Sequence, residues 1–217
     1  MSPGMKKRKT KNIYKDNSMK TLVFATGNQG KMREIREILG DSIPEILSMK
    51  EAGIEADIVE DGKTFEDNAL IKARAVSKAG NIMAMADDSG LVVDCMDGAP
   101  GIYSARFMGE DTSYDVKNNY IIEQAMKVPF EERTARFVCA IACAMPDGRE
   151  WVVRGTVEGV INDRQAGTNG FGYDPIFLLP DRGVTTAELP PEQKNEISHR
   201  GRALRAMREL LIKEGIL

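Results

Sequence analysis

Two adjacent carboxylates at the end of an apolar run constrain this chain more than anything else in it. In residues 82–107, IMAMADDSGLVVDCMDGAPGIYSARF, the run Ile82 to Ala86 predicts a buried strand that stops at Asp87, Asp88 and Ser89. Gly90 is expected to turn the backbone sharply before a second apolar run, Leu91–Val93. Charged groups are rarely buried without a partner, so the pair admits two readings. It is a solvated turn, for which Asp, Ser and Gly are ordinary residues, or it meets a cation, and hard carboxylate oxygens suit Mg²⁺. The next segment, DGAPGIYSAR, adds two glycines, a proline and an arginine. A surface hairpin needs no such fixed backbone, which favours the second reading.

The length of 217 residues allows one large domain or two small lobes. No apolar run approaches the ~20 residues that span a bilayer, and the charged start is followed by polar residues rather than a signal-peptide core. Cys95, Cys139 and Cys143 sit in apolar surroundings without CxxC spacing. They are read as free buried thiols of a cytoplasmic protein. Zinc is unexpected with a single histidine. Residues 1–18 carry six basic residues against Asp16, which leaves −8 on the remainder from a total of −3. The basic stretch is expected to be a disordered extension, with residues 19–217 as a single domain of two lobes. An acidic body argues against a nucleic-acid polymer as partner, because a phosphate backbone needs a basic surface. A nucleotide held with a divalent cation remains compatible.

Lys20–Thr26 predicts a strand, Gly27-Asn28 a turn, and Gln29–Leu39 a helix with Met32, Ile35, Ile38 and Leu39 on one face and Gly40 as its stop. Strand, glycine turn and helix N-terminus together favour an anion. Lys31 lies in the first helical turn, where a cation opposes the helix dipole, so an anionic ligand explains it better than stability does. The TGNQGK segment lacks the P-loop pattern. Thr64 is expected to cap a second helix ending near Ala79, with Asp67 completing an imperfect capping box. Asn68 and Lys72 share one face of it, and the small residues beside Lys72 suggest an inward-facing role rather than an exposed one.

Ser113–Met126 predicts a helix with apolar positions Val116, Tyr120 and Ile121. Ala135–Met145 and Glu150–Val160 predict a hairpin joined through Asp147-Gly148, with Trp151 packing across strands. In Gly167–Phe177, GTNGFGYDPIF, glycines let the backbone approach a ligand beside Phe171 and Tyr173, or the two aromatics plug the core. Asp174, preceding Pro175, is expected to be extended. Ser198 is the N-cap of a terminal helix, with His199 and Arg200 in its first turn and Lys194 upstream. These three supply donors suited to a carbonyl-bearing or anionic ligand.

The ordered set TGNQGK, TFEDNALIKA, ADDSGLVVD, GAPGIYSARF, GFGYDPIF and SHRGRAL closely resembles the inosine triphosphate pyrophosphatase family, in its bacterial branch, over about residues 20–213. The resemblance implies an α/β fold, an elongated mixed sheet flanked by helices in two lobes with a central cleft. It also implies a homodimer that cleaves dITP, ITP and XTP to monophosphate and pyrophosphate with Mg²⁺. Carried over, Thr26, Gly27, Asn28, Gln29, Gly30 and Lys31 become the triphosphate turn. Asp88 becomes general base and metal ligand, Glu60 a further metal carboxylate with Asp61 and Asp87 as rivals, and Lys72 a phosphate contact. Ser89 is expected to touch substrate. Phe171, Gly172, Tyr173, Asp174, Lys194, His199 and Arg200 become the base pocket, with Arg200 reading the 6-oxo group. Asp67 departs from the family's Glu at that position, which leaves it without an assigned role. The competing activities are a pyrophosphatase for pyrimidine or other modified dNTPs and a nucleotide-binding regulator without turnover. Like charge from Asp87 is expected to raise one carboxyl of the Asp87-Asp88 pair.

Overall fold

The computed structural model describes residues 21–217, so the basic segment 1–18 lies outside the described residues. Twelve elements follow in chain order: β1 (Thr21–Phe24), α1 (Gln29–Leu39), β2 (Glu45–Ser48), α2 (Phe65–Gly80), β3 (Ala84–Val93), α3 (Tyr114–Ala125), β4 (Thr134–Ala144), β5 (Glu150–Ile161), β6 (Phe177–Leu179), β7 (Val184–Thr185), α4 (Pro191–Ile197) and α5 (His199–Lys213). The seven strands form one mixed sheet in the order β2-β1-β3-β4-β5-β6-β7, which makes the fold α/β. β1 pairs parallel to β2 and β3, and the remaining pairs are antiparallel.

Local chemistry accounts for most of the elements. Asn28, Thr64, Ser113 and Ser198 each accept an amide hydrogen bond at a helix N-terminus, as short polar caps do. Asn81 closes α2 in the left-handed conformation, two residues past the expected end near Ala79. Cys143 stands opposite Trp151 in the long β4–β5 hairpin, and Trp151 packs against the core beneath α1 and α5.

The two faces of the sheet carry different cover. Alternate residues of β3 and β4, among them Met85, Cys139, Ile141 and Cys143, pack under α1 and α5. Their neighbours Ala84, Ala86, Val138, Ala140 and Ala142 pack under α2. A third cluster, around Leu91, Val93, Phe137, Tyr173 and Phe177, lies under α3.

Three expectations are corrected. Asp87-Asp88-Ser89-Gly90 is not a turn: β3 runs through it unbroken, paired residue for residue with Ile141, Ala140, Cys139 and Val138 of β4. Ladder pairing on a central strand outweighs the turn preference of those residues. Helix α3 buries Lys117, Asn118, Ile121 and Ala125, whereas Val116 and Tyr120 are exposed. Asp174 is not extended but opens a 3₁₀ turn, Asp174–Ile176, because its carboxylate accepts from the Phe171 amide at 2.9 Å.

Candidate active site

The site forms where the sheet opens. β1 pairs with β3 only at Val23↔Ala84 and Phe24↔Met85, so β3 continues past the end of β1 with one edge uncovered. Crevices beyond the carboxyl ends of parallel strands are where open α/β sheets receive ligands. Asp87, Asp88 and Ser89 occupy that free stretch, facing the turn 26–31.

Successive strand residues point to opposite faces, and the two carboxylates separate accordingly. Asp88 faces α2. Lys72 Nζ donates to its Oδ1 at 3.1 Å and to Glu60 Oε2 at 2.9 Å, while Asn68 Nδ2 donates to Asp88 Oδ2 at 3.3 Å. Asn68 Oδ1 accepts the Gly62 amide at 2.9 Å, which ties the loop carrying Glu60 to α2. Burial raises the Asp88 carboxyl above its ordinary value, and the Glu60 charge adds to this against the pull of Lys72. Burial opposes the charge on Lys72, yet Asp88, Asp87 and Glu60 together raise it. Asp61 is exposed. Asp67 is exposed as well, accepting the Lys63 amide outside the cluster.

Asp87 faces the other way, toward α1 and α5. Lys31 Nζ lies 2.8 Å from its Oδ2, Arg200 lies 3.5 Å away, and Ser89 Oγ donates to it at 2.9 Å. Burial opposes ionisation, but Lys31, Arg200 and Lys72 hold this carboxyl well below the usual range. The like charge that raises Asp88 is therefore Glu60, not the sequence neighbour Asp87. Asp87 is the anion beside Lys31.

A buried network crosses from α1 to α4 and α5. Glu34 accepts from Lys194 at 3.1 Å and from Arg200, and Lys194 also donates to Asp174 at 2.7 Å. Burial alone would raise Glu34, but Arg200 and Lys194 lower it. Arg200 and Lys194 stand 5.5 Å and 5.0 Å from the Phe171 ring centroid, within cation–π range. His199 stacks on Phe137 at 4.8 Å and 17°. Burial, then the charges of Arg200 and Lys194, push its pKa well below the ordinary value, so the ring is neutral at pH 7. Among the described residues its Nδ1 is buried without a hydrogen-bond partner, as are Arg200 Nε and Asp87 Oδ1. The N-terminus of α5 can sit this close because Gly155 of β5 and Gly201 have no Cβ: added ones would lie 2.2 Å from His199 O and 1.9 Å from Asn195 O.

Two cavities of about 310 Å³ each meet here. One is lined by Glu60, Lys72, Asp87, Asp88 and Arg106. The other is lined by Tyr114, Phe137, Phe171, Tyr173, Lys194, His199 and Arg200. Thr26, Gly27, Lys31, Ser89 and Ala105 belong to both. The predicted residues Asn28, Gly172 and Asp174 line the second cavity. Gln29 lies beyond them in a cavity with Ser48 and Lys50, and Gly30 lies behind Phe171 in one with Arg33 and Glu34. Sequence reasoning missed Glu34, Ser104, Ala105, Tyr114 and Phe137. Only Glu34 left a signal, an acid three residues after Lys31 and so on the same helical face.

An acidic corner with a buried ammonium at one end, aromatic and donor-rich walls at the other, and a glycine turn between them suit a nucleotide polyphosphate. The Ham1 family model matches residues 22–210. The dITP/XTP pyrophosphatase of Geobacter sulfurreducens is 49% identical over 199 residues, covering 91% of this chain and 100% of that protein. That of Bacillus subtilis is 45% identical over 193 residues, covering 89% and 98%. The solved Ham1 protein of Staphylococcus aureus superposes with a TM-score of 0.80 at 41% identity, covering 90% of this chain and 100% of that one.

Proposed function

Because this chain belongs to the Ham1 family, we propose that it hydrolyses non-canonical purine nucleoside triphosphates, dITP, ITP and XTP, to the monophosphate and pyrophosphate. One observation carries this reading: the Asp88–Lys72–Glu60 cluster and the aromatic pocket share Thr26, Gly27, Lys31, Ser89 and Ala105 as a common wall. A triphosphate along that wall brings its α-phosphorus to Asp88 and its base to Phe171.

The donor set fits Mg²⁺. Among the described residues no three His, Cys, Asp or Glu side chains cluster as a protein-only metal site. Asp88 and Glu60 nevertheless share one ammonium, and Mg²⁺ is typically held by one or two carboxylates plus substrate phosphates. Bound there, Mg²⁺ supplies charge neutralisation for the phosphates and lowers the pKa of water. The chain's own groups do the rest. Asp88, with its raised carboxyl, accepts the proton of the attacking water. Lys72 stays charged and holds phosphate oxygens, and the Asn28–Lys31 turn presents amides and an ammonium to the outer phosphates. Phe171 stacks on the purine. Arg200 and the neutral His199 meet its edge, where a 6-oxo acceptor is matched and the adenine amino group is not. The working form is a cytoplasmic homodimer.

The test is to incubate the protein with ITP, dITP, XTP, ATP and pyrimidine triphosphates, with Mg²⁺, and to identify the products. Monophosphate and pyrophosphate from the 6-oxo purines alone is the expected result. Orthophosphate, equal rates on pyrimidines, or binding without turnover would each replace this reading with another.

A further inference from the structure

Lys117 is one of the largest fully buried side chains in the protein, 1% exposed, yet among the described residues it forms no ion pair. Its ammonium donates to Ala105 O at 2.8 Å and lies 5.0 Å from the Tyr114 ring centroid. Burying an ammonium without a carboxylate is costly, so stability does not explain it. Its neighbour Asn118, also 1% exposed, donates to Gly172 O and to Gln165 Oε1, each at 3.2 Å.

The two acceptor carbonyls belong to chain segments far apart in sequence, and both segments line the aromatic cavity. The first runs along the free edge of β3, bridged at Val92↔Pro100. It crosses Gly90 so closely that a Cβ there would lie 2.3 Å from Gly101 O. Tyr173 OH adds a second latch on it, at Ser104 O, 2.7 Å away.

We propose that Lys117 and Asn118 are positioning residues: two successive residues of one rigid helix fix where the Ala105 and Gly172 walls stand, and so set how closely the cleft fits a purine. The inference rests on the reading of the cleft as a nucleotide site. Ala105 also borders the acidic cavity, but the phosphate contacts of Asn28–Lys31 and Lys72 lie on other elements. Loss of the latch should therefore loosen base recognition and spare phosphate binding.

Lys117→Met keeps the stem and removes the donor. The expected result is a KM for ITP raised about tenfold and an ITP-to-ATP selectivity narrowed by a similar factor, with inhibition by tripolyphosphate, which has no base, within twofold of wild type. Unchanged KM and selectivity overturn the proposal. So does a tripolyphosphate inhibition constant that rises in step with KM, the signature of general damage. Should Lys117→Met fail to fold, two variants replace it. Lys117→Arg keeps a donor and a cation over Tyr114 and should retain selectivity, whereas Asn118→Leu removes the latch on Gly172 O and should lose part of it. Equal selectivity in the two overturns the proposal. A wild-type protein inactive on every purine triphosphate removes the proposed function and this inference with it, whereas an active wild type with an indifferent Lys117→Met removes the inference alone.

Discussion

Asp87 and Asp88 are neighbours in sequence but lie on opposite faces of the sheet, Asp87 2.8 Å from Lys31 and Asp88 3.1 Å from Lys72. Strand pleating separates two carboxylates that would otherwise repel. The consequence is a division of labour. Asp87 is ionised and locked between cations of α1 and α5, while Asp88, raised by burial and by Glu60, faces the acidic cavity.

That division predicts opposite phenotypes for the same substitution. Asp88→Asn should fold normally and lose ~10²–10⁴-fold in kcat, the range of general-base assistance. Asp87→Asn should lose stability first, because breaking a buried ion pair costs about 3–5 kcal/mol. Melting temperature and kcat measured side by side decide it. An Asp88→Asn variant keeping more than about a tenth of the wild-type rate at equal metal loading removes Asp88 as the base.

Phe171 offers a cleaner probe of the base pocket than Arg200, which is also tied to Glu34 and Asp87. Stacking on an aromatic ring is worth roughly 1–3 kcal/mol, so Phe171→Ala should raise the KM for ITP by about 5- to 150-fold. Tripolyphosphate inhibition should stay near the wild-type value, and an equal loss for both would place Phe171 outside the base pocket.

Glu34 gives a pH-dependent stability effect of definite sign. Its folded-state pKa lies below the ordinary 4.5 because Arg200 and Lys194 outweigh burial. Its contribution is therefore fully present well above pH 4.5 and is lost as pH falls through the lower folded value. Glu34→Gln should melt below wild type at pH 7, and the gap should close progressively below about pH 4.5. A gap independent of pH would mean that the carboxylate charge does not matter.

The parts of this fold that sequence reveals are those held by local chemistry. The Thr64 and Ser198 caps, the Asp147-Gly148 hairpin and the shared face of Asn68 and Lys72 all depend on residues close together in the chain. Asp87–Gly90 was misread because its residues have turn preferences, while the pairing that holds them extended comes from β4, some fifty positions later. Glu34 shows only as an acid on the Lys31 face of its helix, since the partners that give it a role, Lys194 and Arg200, lie about 160 residues away. Lys117 carries no sequence signal, because what holds it inside is the Ala105 backbone carbonyl, which no side chain announces.

The thiols should be nearly inert in the native state. Cys139 and Cys143 are fully buried under α5, and burial pushes both up to about 12. Thiolate is the reactive species, so at pH 8 a disulfide reagent should titrate no more than the half-buried Cys95. All three should react in denaturant. Rapid native labelling of two or more would show that the α5 side of the sheet opens readily.

Metal dependence should separate Glu60 from its rivals. Glu60 shares Lys72 with Asp88, whereas Asp61 is exposed and Asp87 is committed to Lys31 and Arg200 on the other face. Two protein carboxylates make a weak site by themselves, and phosphate oxygens complete the ligand set of Mg²⁺. Chelation should therefore abolish activity, and Mg²⁺ should bind detectably tighter when a non-hydrolysable triphosphate is present. Glu60→Gln should raise the Mg²⁺ concentration for half-maximal rate severalfold, and Asp61→Asn should leave it unchanged. The reverse order would move the second metal carboxylate from Glu60 to Asp61 and require the 57–63 loop to rearrange when nucleotide binds.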